Sequence, residues 1–326
     1  MERKNNNFVS YIITLYNKKS YLHSVINALA KEGGPHLREY IFIDDGSQDQ
    51  TFAILEKLKV KLPGKVTIIS RRNMGASYST NEAISHANGY WLRLLDGDDL
   101  IEYKSTYQML LIARRKKVEF VYGLIHEDKK LKYPTNFKIS VLQSKNEGLR
   151  KFIRNCPANS SCILVSSNRY IKAGGCNESF ISPDQMLFLR LFSKGEGAFF
   201  KKRVARMPTL QKTGRLSHQI KRSRYESILA LIRLCEENKK IDKNLKRNAF
   251  KRSLSRAHTY NKLLNNGLLS SHFFIYLISK FYFPTNYIKW MYYSLKVFTG
   301  KEITRPKNWL TGYDKKITSK TKIKEY

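Results

Sequence analysis

Cysteine is scarce in this chain. There are four in 326 residues, Cys156, Cys162, Cys176 and Cys235, with no C-x-x-C spacing and no Cys/His cluster of zinc-site type. That points away from a disulfide framework or a zinc module and toward free thiols in a reducing cytosol. Long apolar runs are missing as well. No stretch reaches the ~18 uninterrupted apolar residues that a transmembrane helix needs, and Met1-Glu2-Arg3-Lys4-Asn5 lacks the apolar core of a signal peptide. A cytoplasmic protein is expected, soluble or peripheral on the inner face of the membrane. Acidic residues are the third scarcity: 26 Asp and Glu stand against 60 Lys and Arg, a formal charge of +34. Such an imbalance implies an anionic partner, and nucleic acid, anionic lipid and a nucleotide-diphosphate substrate all meet that description.

What is present begins with a repeated unit. Phe8 to Leu15 is an apolar, β-branched run followed by Tyr16-Asn17-Lys18-Lys19 and a helical pattern through Tyr21, Leu22, Val25, Ile26 and Leu29. Tyr40 to Ile43 repeats the pattern, ending in Asp44-Asp45-Gly46-Ser47 before a helix with Phe52, Ile54, Leu55 and Leu58. Val66 to Ile69 leads to Arg71-Arg72-Asn73-Met74-Gly75 and a third helix through about Ala87. A fourth strand then ends at Asp96. Strands alternating with helices imply right-handed crossovers and a mainly parallel sheet. The tips carrying Tyr16, Asp45, Arg71 and Asp96 should therefore converge on one edge, where open α/β sheets bind ligands.

The fourth tip is the densest in chemistry. Trp91 to Leu95 delivers Asp96-Gly97-Asp98-Asp99, three carboxylates and one glycine. Carboxylates this close repel one another, and a hard divalent cation offsets that repulsion while leaving positions for phosphate oxygens. Gly97 allows the tight turn that lets Asp96 and Asp98 face one ion. The plainer reading is a solvated turn, with Asp99 capping a helix that starts near Leu100.

Further on, a basic turn at Arg114 to Lys117 precedes a strand from Val118 to Tyr122. Ser160 to Val165 reads as a strand and Ser166 to Ala173 as a short helix. After the Gly174-Gly175 loop, Pro183-Asp184 starts a helix with Met186, Leu187, Leu189 and Leu191 as its apolar positions; capping alone explains Asp184 at that place. The composition shifts after about His218. Residues 219–326 hold 24 Lys and Arg against 7 Asp and Glu, half the charge excess in a third of the length. Phe273 to Phe283 and Tyr287 to Phe298 are aromatic-rich and punctuated by lysine, a pattern that packs on a domain or lies in a membrane interface. The expected organisation is a domain over 1–218, a basic helical region over 219–326, and a last dozen residues without structure.

Ile12-Ile13-Thr14-Leu15-Tyr16-Asn17, Asp44-Asp45-Gly46-Ser47, Asn73-Met74-Gly75, Leu95-Asp96-Gly97-Asp98-Asp99 and Pro183-Asp184 with Arg190 occur in an order and spacing that resembles the family 2 glycosyltransferases of the nucleotide-diphospho-sugar transferase (GT-A) fold. The likeness covers about residues 8–218. It implies an α/β, Rossmann-like GT-A domain with a mainly parallel sheet flanked by helices, carrying a C-terminal α-helical extension. It further implies that Thr14 and Tyr16 contact the nucleotide, Tyr16 by stacking on the base. Asp45 would bind the base edge, and Arg71, or Arg72 in a shifted register, would lie near the nucleotide. Asp96 and Asp98 would form the D-x-D pair for Mn²⁺ or Mg²⁺, with Asp98 nearest the metal, and Asp184 would be the catalytic base. Arg190 would be a structural partner. The usual proline before Tyr-Asn is replaced by Thr14-Leu15, Pro183 stands for the acid that often precedes the base, and Met186 for another. No Q-x-x-R-W motif appears, which matches the non-processive members.

The implied reaction is inverting transfer of one sugar from a nucleotide-diphosphate sugar, a UDP-sugar first, to a glycan or lipid-linked acceptor of the cell surface. Two rivals follow from the same residues. One keeps the fold and the sugar-nucleotide site without catalysis. The other is a basic nucleic-acid binder, opposed by the acidic cluster at the ligand edge, which would repel a phosphate backbone.

Overall fold

Phe8–Leu15 is aromatic, aliphatic or β-branched except for Ser10, and it forms β1, buried throughout from Val9 to Ile13. Burial on both faces is what the middle of a parallel sheet requires. β1 lies between β2 (Leu37–Asp44) and β4 (Trp91–Asp96), parallel to both, and β2 runs parallel to β3 (Lys65–Ser70). The crossovers are α1 (Lys19–Lys31), α2 (Thr51–Leu58) and α3 (Ala76–Ser85). α1 shows how they attach: Leu22, Val25, Ile26 and Leu29, spaced as one helical face, are its buried residues. The register pairs Leu15 with Asp44, Thr14 with Asp96 and Asp44 with Ser70, so the four strands end level. The computed structural model describes residues 6–125, 140–207, 220–264 and 270–298, and the backbone of 322–325.

The second half of the sheet is mixed, which narrows the expectation of a mainly parallel sheet to its first four strands. β8 (Ile163–Ser166) runs antiparallel to β4 and to β6 (Phe120–Ile125), because the chain enters β8 through a 3₁₀ turn, Ser160–Cys162, at the sheet edge where β4 ends. β9 (Gly197–Arg206) is parallel to β6 and antiparallel to the short β5 (Leu100–Ile101) and β7 (Ser140–Gln143). The helix expected near Leu100 starts later, as α4 (Ser105–Lys116), since Leu100 and Ile101 are buried and paired with Arg206 and Ala205. Asp99 is therefore not its cap. Lys322–Glu325 form β10, antiparallel to β3 at the sheet edge, so part of the tail expected without structure is a strand. The remainder of that tail and the boundary expected at 218/219 lie outside the described residues.

Helices close both halves. α5 (Lys145–Arg154) opens with a capping box between Ser144 and Glu147 and packs on α7 (Asp184–Ser193). There Phe152 stacks on Phe188 with centroids 4.2 Å apart, and a Cβ at Gly148 would lie 2.0 Å from the Phe192 ring. α6 (Ser167–Lys172) follows β8. α8 (Ile220–Glu237) packs on α7, and α9 (Lys243–Leu263) on α5 and α8. Their Ile228, Leu231, Leu234, Phe250 and Leu254 belong to the same hydrophobic core as the sheet. α10 (Ser271–Phe281) and α11 (Tyr287–Ser294) lie outside, against α9. No helix among the described residues is long and apolar enough to cross a membrane.

One buried polar cluster ties α1 to β1. The Tyr11 hydroxyl donates to Glu32 at 2.8 Å and lies 2.8 Å from His36 Nε2, while the Thr106 amide donates to Glu32 at 2.8 Å. His36 Nδ1 is buried without a partner. Burial first, then the charges of Arg38 and Arg114, pull the imidazole down to about 4. A group depressed in the folded state favours folding above its unfolded pKa of ~6.5 and loses that contribution as pH falls toward 4. The loss is at most about 3 kcal/mol. Glu32, raised by burial, acts in the opposite sense. His36→Gln should therefore flatten the decline in urea-unfolding free energy between pH 6.5 and 4 relative to the parent. Parallel declines in the two proteins would clear His36 of that role.

Candidate active site at the strand tips

β4 ends in Asp96, and the turn that follows closes with the Asp99 amide on the Asp96 carbonyl at 2.9 Å. Gly97 does not take a positive φ here. It is required for a different reason: its amide bonds the Thr14 carbonyl at 3.0 Å, and a Cβ would lie 2.3 Å from Leu15 Cδ2 and 2.7 Å from that oxygen. Close approach to β1 fixes the turn, and with it the directions of Asp96, Asp98 and Asp99.

A short polar segment, Asn159 to Ser161, laces these acids to α7. The Ser160 hydroxyl donates to Asp96 Oδ1 at 2.9 Å, the Asp96 amide to Ser161 Oγ at 2.9 Å, and Asn159 Nδ2 to Asp99 Oδ2 at 2.9 Å. The Ser160 amide donates to Asp184 Oδ1 at 2.8 Å, and the Ser182 hydroxyl to Asp184 Oδ2 at 2.9 Å. Asp184 makes no capping bond to its own helix, whose N-cap is Pro183, so capping does not account for it. Four carboxylates thus share one corner. Burial pushes Asp96 well above the usual carboxylate range, and Asp99, Asp184 and Asp98 push it further. Asp99 is raised to about 6, and Asp184 is raised by burial against the opposing bonds from Ser160 and Ser182.

On the other side of β4 the loops after β1, β2 and β3 interlock. Asn17, in a left-handed conformation at φ 52, receives the Gln48 amide on Oδ1 at 2.8 Å and donates its own amide to Ser47 Oγ at 2.9 Å. Asp45 is buried, accepting the amides of Met74 and Gly75 at 2.7 and 2.8 Å and a bond from Arg71 Nη1. Arg71 also holds Glu82 and Ser79, at 2.5 and 2.9 Å, and lies over the Tyr78 ring. Tyr16 projects from this frame with 43% of its surface exposed.

Whether the acids fit a divalent metal follows from their donors. Among the described residues no three His, Cys, Asp or Glu side chains already converge on one point. An ion held by Asp96 and Asp98 would therefore take its other oxygens from a diphosphate and water, the usual arrangement for Mg²⁺. The donors are hard oxygens crowded enough to favour positive charge, and one cation is already drawn in: Lys18 Nζ lies 2.7 Å from Asp98 Oδ2. On that chemistry the residues fit.

The C-terminal helices reach the same corner. Glu226 of α8 is buried and accepts the amides of Ile181 and Ser182, at 2.8 and 3.0 Å, immediately before Asp184. Arg190 of α7 faces away from Asp184, pairing with Glu237 of α8 at 2.7 Å and with the carbonyls of Gly174 and Gly175 at 2.9 and 3.0 Å.

Thr14, Tyr16, Asp45, Arg71, Asp96 and Asp98 thus lie along one edge, with Asp184 joined to it through Ser160. Asp45 and Arg71 are bonded to each other, so they brace the loops as well as bordering them. Lys18, Asn159, Ser160, Ser161 and Glu226 are additional. Their sequence signals are slight: three small polar residues ahead of a buried strand, and a lone carboxylate in the basic start of a helix.

Comparison with known proteins bears on the family and the fold. The family model described as glycosyl transferase family 2 matches residues 10–178. Over 93 residues the chain is 36% identical to the poly(ribitol-phosphate) beta-N-acetylglucosaminyltransferase TarS of Staphylococcus aureus, covering 28% of this chain and 16% of TarS. It is 32% identical over 124 residues to the teichuronic acid biosynthesis glycosyltransferase TuaG of Bacillus subtilis, named there as putative, covering 37% of this chain and 48% of TuaG. In structure it matches TarS 1–349 in complex with UDP-GlcNAc, with a TM-score of 0.65, 16% identity and 89% of each chain covered. It also matches the mannosyltransferase PcManGT of Pyrobaculum calidifontis in complex with GDP-Man and Mn²⁺, with a TM-score of 0.55, 14% identity, and 89% and 85% covered. Those structural likenesses establish the fold.

The Glu226 contacts generate a stability prediction. Glu226→Ala strands one buried amide and one part-buried amide, and an unsatisfied buried donor costs about 1–3 kcal/mol; Glu226→Gln keeps one acceptor oxygen and should lose less. The expected outcome is a lower melting temperature for Ala than for Gln, with faster proteolysis in the 177–184 loop. A melting temperature unchanged in Glu226→Ala would mean that the loop holds itself.

Proposed function

The chain belongs to glycosyl transferase family 2 and is a glycosyltransferase of the GT-A fold, and from that premise we propose that it transfers single sugars, with inversion and with a divalent metal, from a nucleotide-diphosphate sugar to a glycan or lipid-linked hydroxyl. UDP-sugars are the favoured donors, and cell-surface polysaccharide or lipopolysaccharide synthesis the favoured setting. The observation that carries the reading is the corner where Asp184 shares Ser160 with Asp96, bringing a proton acceptor within one residue of the diphosphate site. Two relatives named for poly(ribitol-phosphate) and for teichuronic acid, and structural neighbours solved with UDP-GlcNAc and with GDP-Man and Mn²⁺, support the donor and acceptor classes. Residues 1–218 carry the transfer site, and α8 of the region 219–326 braces it through Glu226.

In the proposed reaction Tyr16, exposed beside the loops that Asp45 and Arg71 hold, stacks on the base, and Thr14 borders the nucleotide. Asp96 and Asp98 would hold the Mg²⁺ or Mn²⁺, which when bound supplies Lewis-acid stabilisation of the leaving diphosphate. Lys18 leaves Asp98 and is then free to meet a phosphate oxygen. Asp184 removes the proton from the acceptor hydroxyl as that oxygen bonds the anomeric carbon from the face opposite the diphosphate, whose bond to carbon breaks. A single in-line displacement inverts that centre. Burial already lifts Asp184 above an ordinary carboxylate, so it is a better proton acceptor than its helix N-terminal position alone would make it.

Two substitutions test the assignment. Asp184→Asn keeps one acceptor oxygen for the Ser160 amide and turns an NH2 donor toward the Ser182 hydroxyl, but it cannot take the proton, so turnover should fall by about a hundredfold or more with nucleotide affinity unchanged. Normal transfer by this variant would put the base elsewhere. Asp98→Ala should abolish the Mn²⁺-dependent part of UDP binding measured by calorimetry and leave the fold intact, since it removes one of several mutually repelling charges. Equal UDP affinity of the parent chain in EDTA and in Mn²⁺ would end the metal reading.

A further inference from the structure

Among the described residues α10 is an apolar helix with little to cover it. Only Ser279 is fully buried among its eleven residues, while Phe274, Leu277, Ile278 and Phe281 stand exposed, Phe281 by 81%. Their spacing of i, i+3, i+4 and i+7 draws one stripe along the helix. The opposite side is the one that packs: Tyr276 stacks on His258 of α9 at 4.9 Å, and Ile275 packs against the core. Tyr282, also exposed, extends the stripe past the helix end. From Ser270 to Phe298 the chain carries three lysines, Lys280, Lys289 and Lys296, all exposed, and no carboxylate.

We propose that α10 is an interfacial helix that lays this stripe into the headgroup boundary of an anionic lipid bilayer, with the three lysines against the lipid phosphates. The helix is about 16 Å long, half the ~30 Å hydrocarbon core, so it lies on the bilayer and does not cross it. A bilayer accepts an apolar stripe without matching its shape, and anionic headgroups suit a segment that carries exposed lysines and no carboxylate of its own. A second copy of the chain is the poorer occupant. It would set like charges face to face, and four side chains present far less than the ~800 Å² per partner of a stable protein interface. The inference goes beyond the reaction and stands whether or not the sugar and acceptor are those proposed. It gives the surface at which a lipid-linked acceptor would be met.

Flotation of the full chain with vesicles of equal phosphatidylglycerol and phosphatidylcholine, and with phosphatidylcholine alone, tests it. The parent should bind the anionic vesicles at low salt, lose about tenfold or more in partitioning as salt is raised, and bind neutral vesicles weakly. The variant F274S/L277S/I278S/F281S should lose about a hundredfold in partitioning while keeping its melting curve and its UDP affinity. The lysine reversal K280E/K289E/K296E, which alters exposed positions only, should lose the anionic preference and serves as the test if the stripe variant does not fold. An unbound parent, a stripe variant that partitions like the parent, or a reversal variant that keeps the anionic preference would each overturn the proposal. So would a parent that sediments as a dimer and becomes monomeric on loss of the stripe, since the stripe would then be covered by a second copy. Unchanged UDP affinity in all these variants separates failure of this surface from failure of the transfer site.

Discussion

The site rests on a buried arginine. Arg93, in the middle of β4, has no exposed surface and donates from Nη1 to the carbonyls of Ser161, Ile163 and Leu94, at 2.5, 3.2 and 3.1 Å, and from Nη2 to Val204 at 3.1 Å. One side chain thereby joins the parallel half of the sheet to the turn that enters β8 and to β9. A guanidinium bonded to neutral carbonyls is costly to bury, and burial accordingly pulls its pKa down, while Glu32 and Asp99 are among the groups that hold it up. Asp99 is the strand-tip acid whose charge bears on it, and Ser161 lies between Arg93 and the tip, its carbonyl accepting from Arg93 and its hydroxyl oxygen from the Asp96 amide.

From that anchor the polar contacts run in both directions. Lys18 and Asn17 tie the first loop to Asp98 and to the second loop, and Asp45 with Arg71 ties the second loop to the third. Ser160 carries the connection to Asp184, and Glu226 carries it from Ser182 into α8. A displacement along this path is felt by its neighbours, because Ser160, Asp184 and Ser182 each bond the residue on either side. The C-terminal helices are part of this frame, with Leu231, Leu234 and Phe250 in the same core as β1 and β4.

How far the sequence reveals this depends on whether the cause is local. The four strand–helix units follow from apolar runs and helical spacing, and level strand ends follow from parallel pairing, so Tyr16, Asp45, Arg71 and Asp96 on one edge could be read directly. Leu100 was less legible: its apolar character suits a helix start or a strand equally, and only its pairing with Arg206 decides. β9 was hidden because Lys201, Lys202 and Arg203 interrupt its apolar residues. Lys18 beside Lys19 looks like an ordinary solvated lysine, and its bond to Asp98 spans 80 positions. Arg93 inside an apolar strand was a visible anomaly, but nothing local names the carbonyls it serves.

The distribution of charge matters more here than its total. At +34 the chain attracts anions from a distance, yet the corner proposed for the diphosphate holds four carboxylates, and bulk charge is screened beyond ~8 Å in physiological salt. Long-range attraction therefore brings a polyanion to the surface and leaves the last step unfavourable unless a cation stands at the acids. Lys18 supplies one charge to Asp98 and nothing to Asp96, whose carboxyl stays pushed upward by its neighbours. The acids that repel a bare phosphate are the same ones that would hold a metal-bound one. On the two proposals made above, the basic surface and the acidic corner would select different anions: an extended anionic surface for the outside of the molecule, and a compact metal-carried diphosphate for its inside.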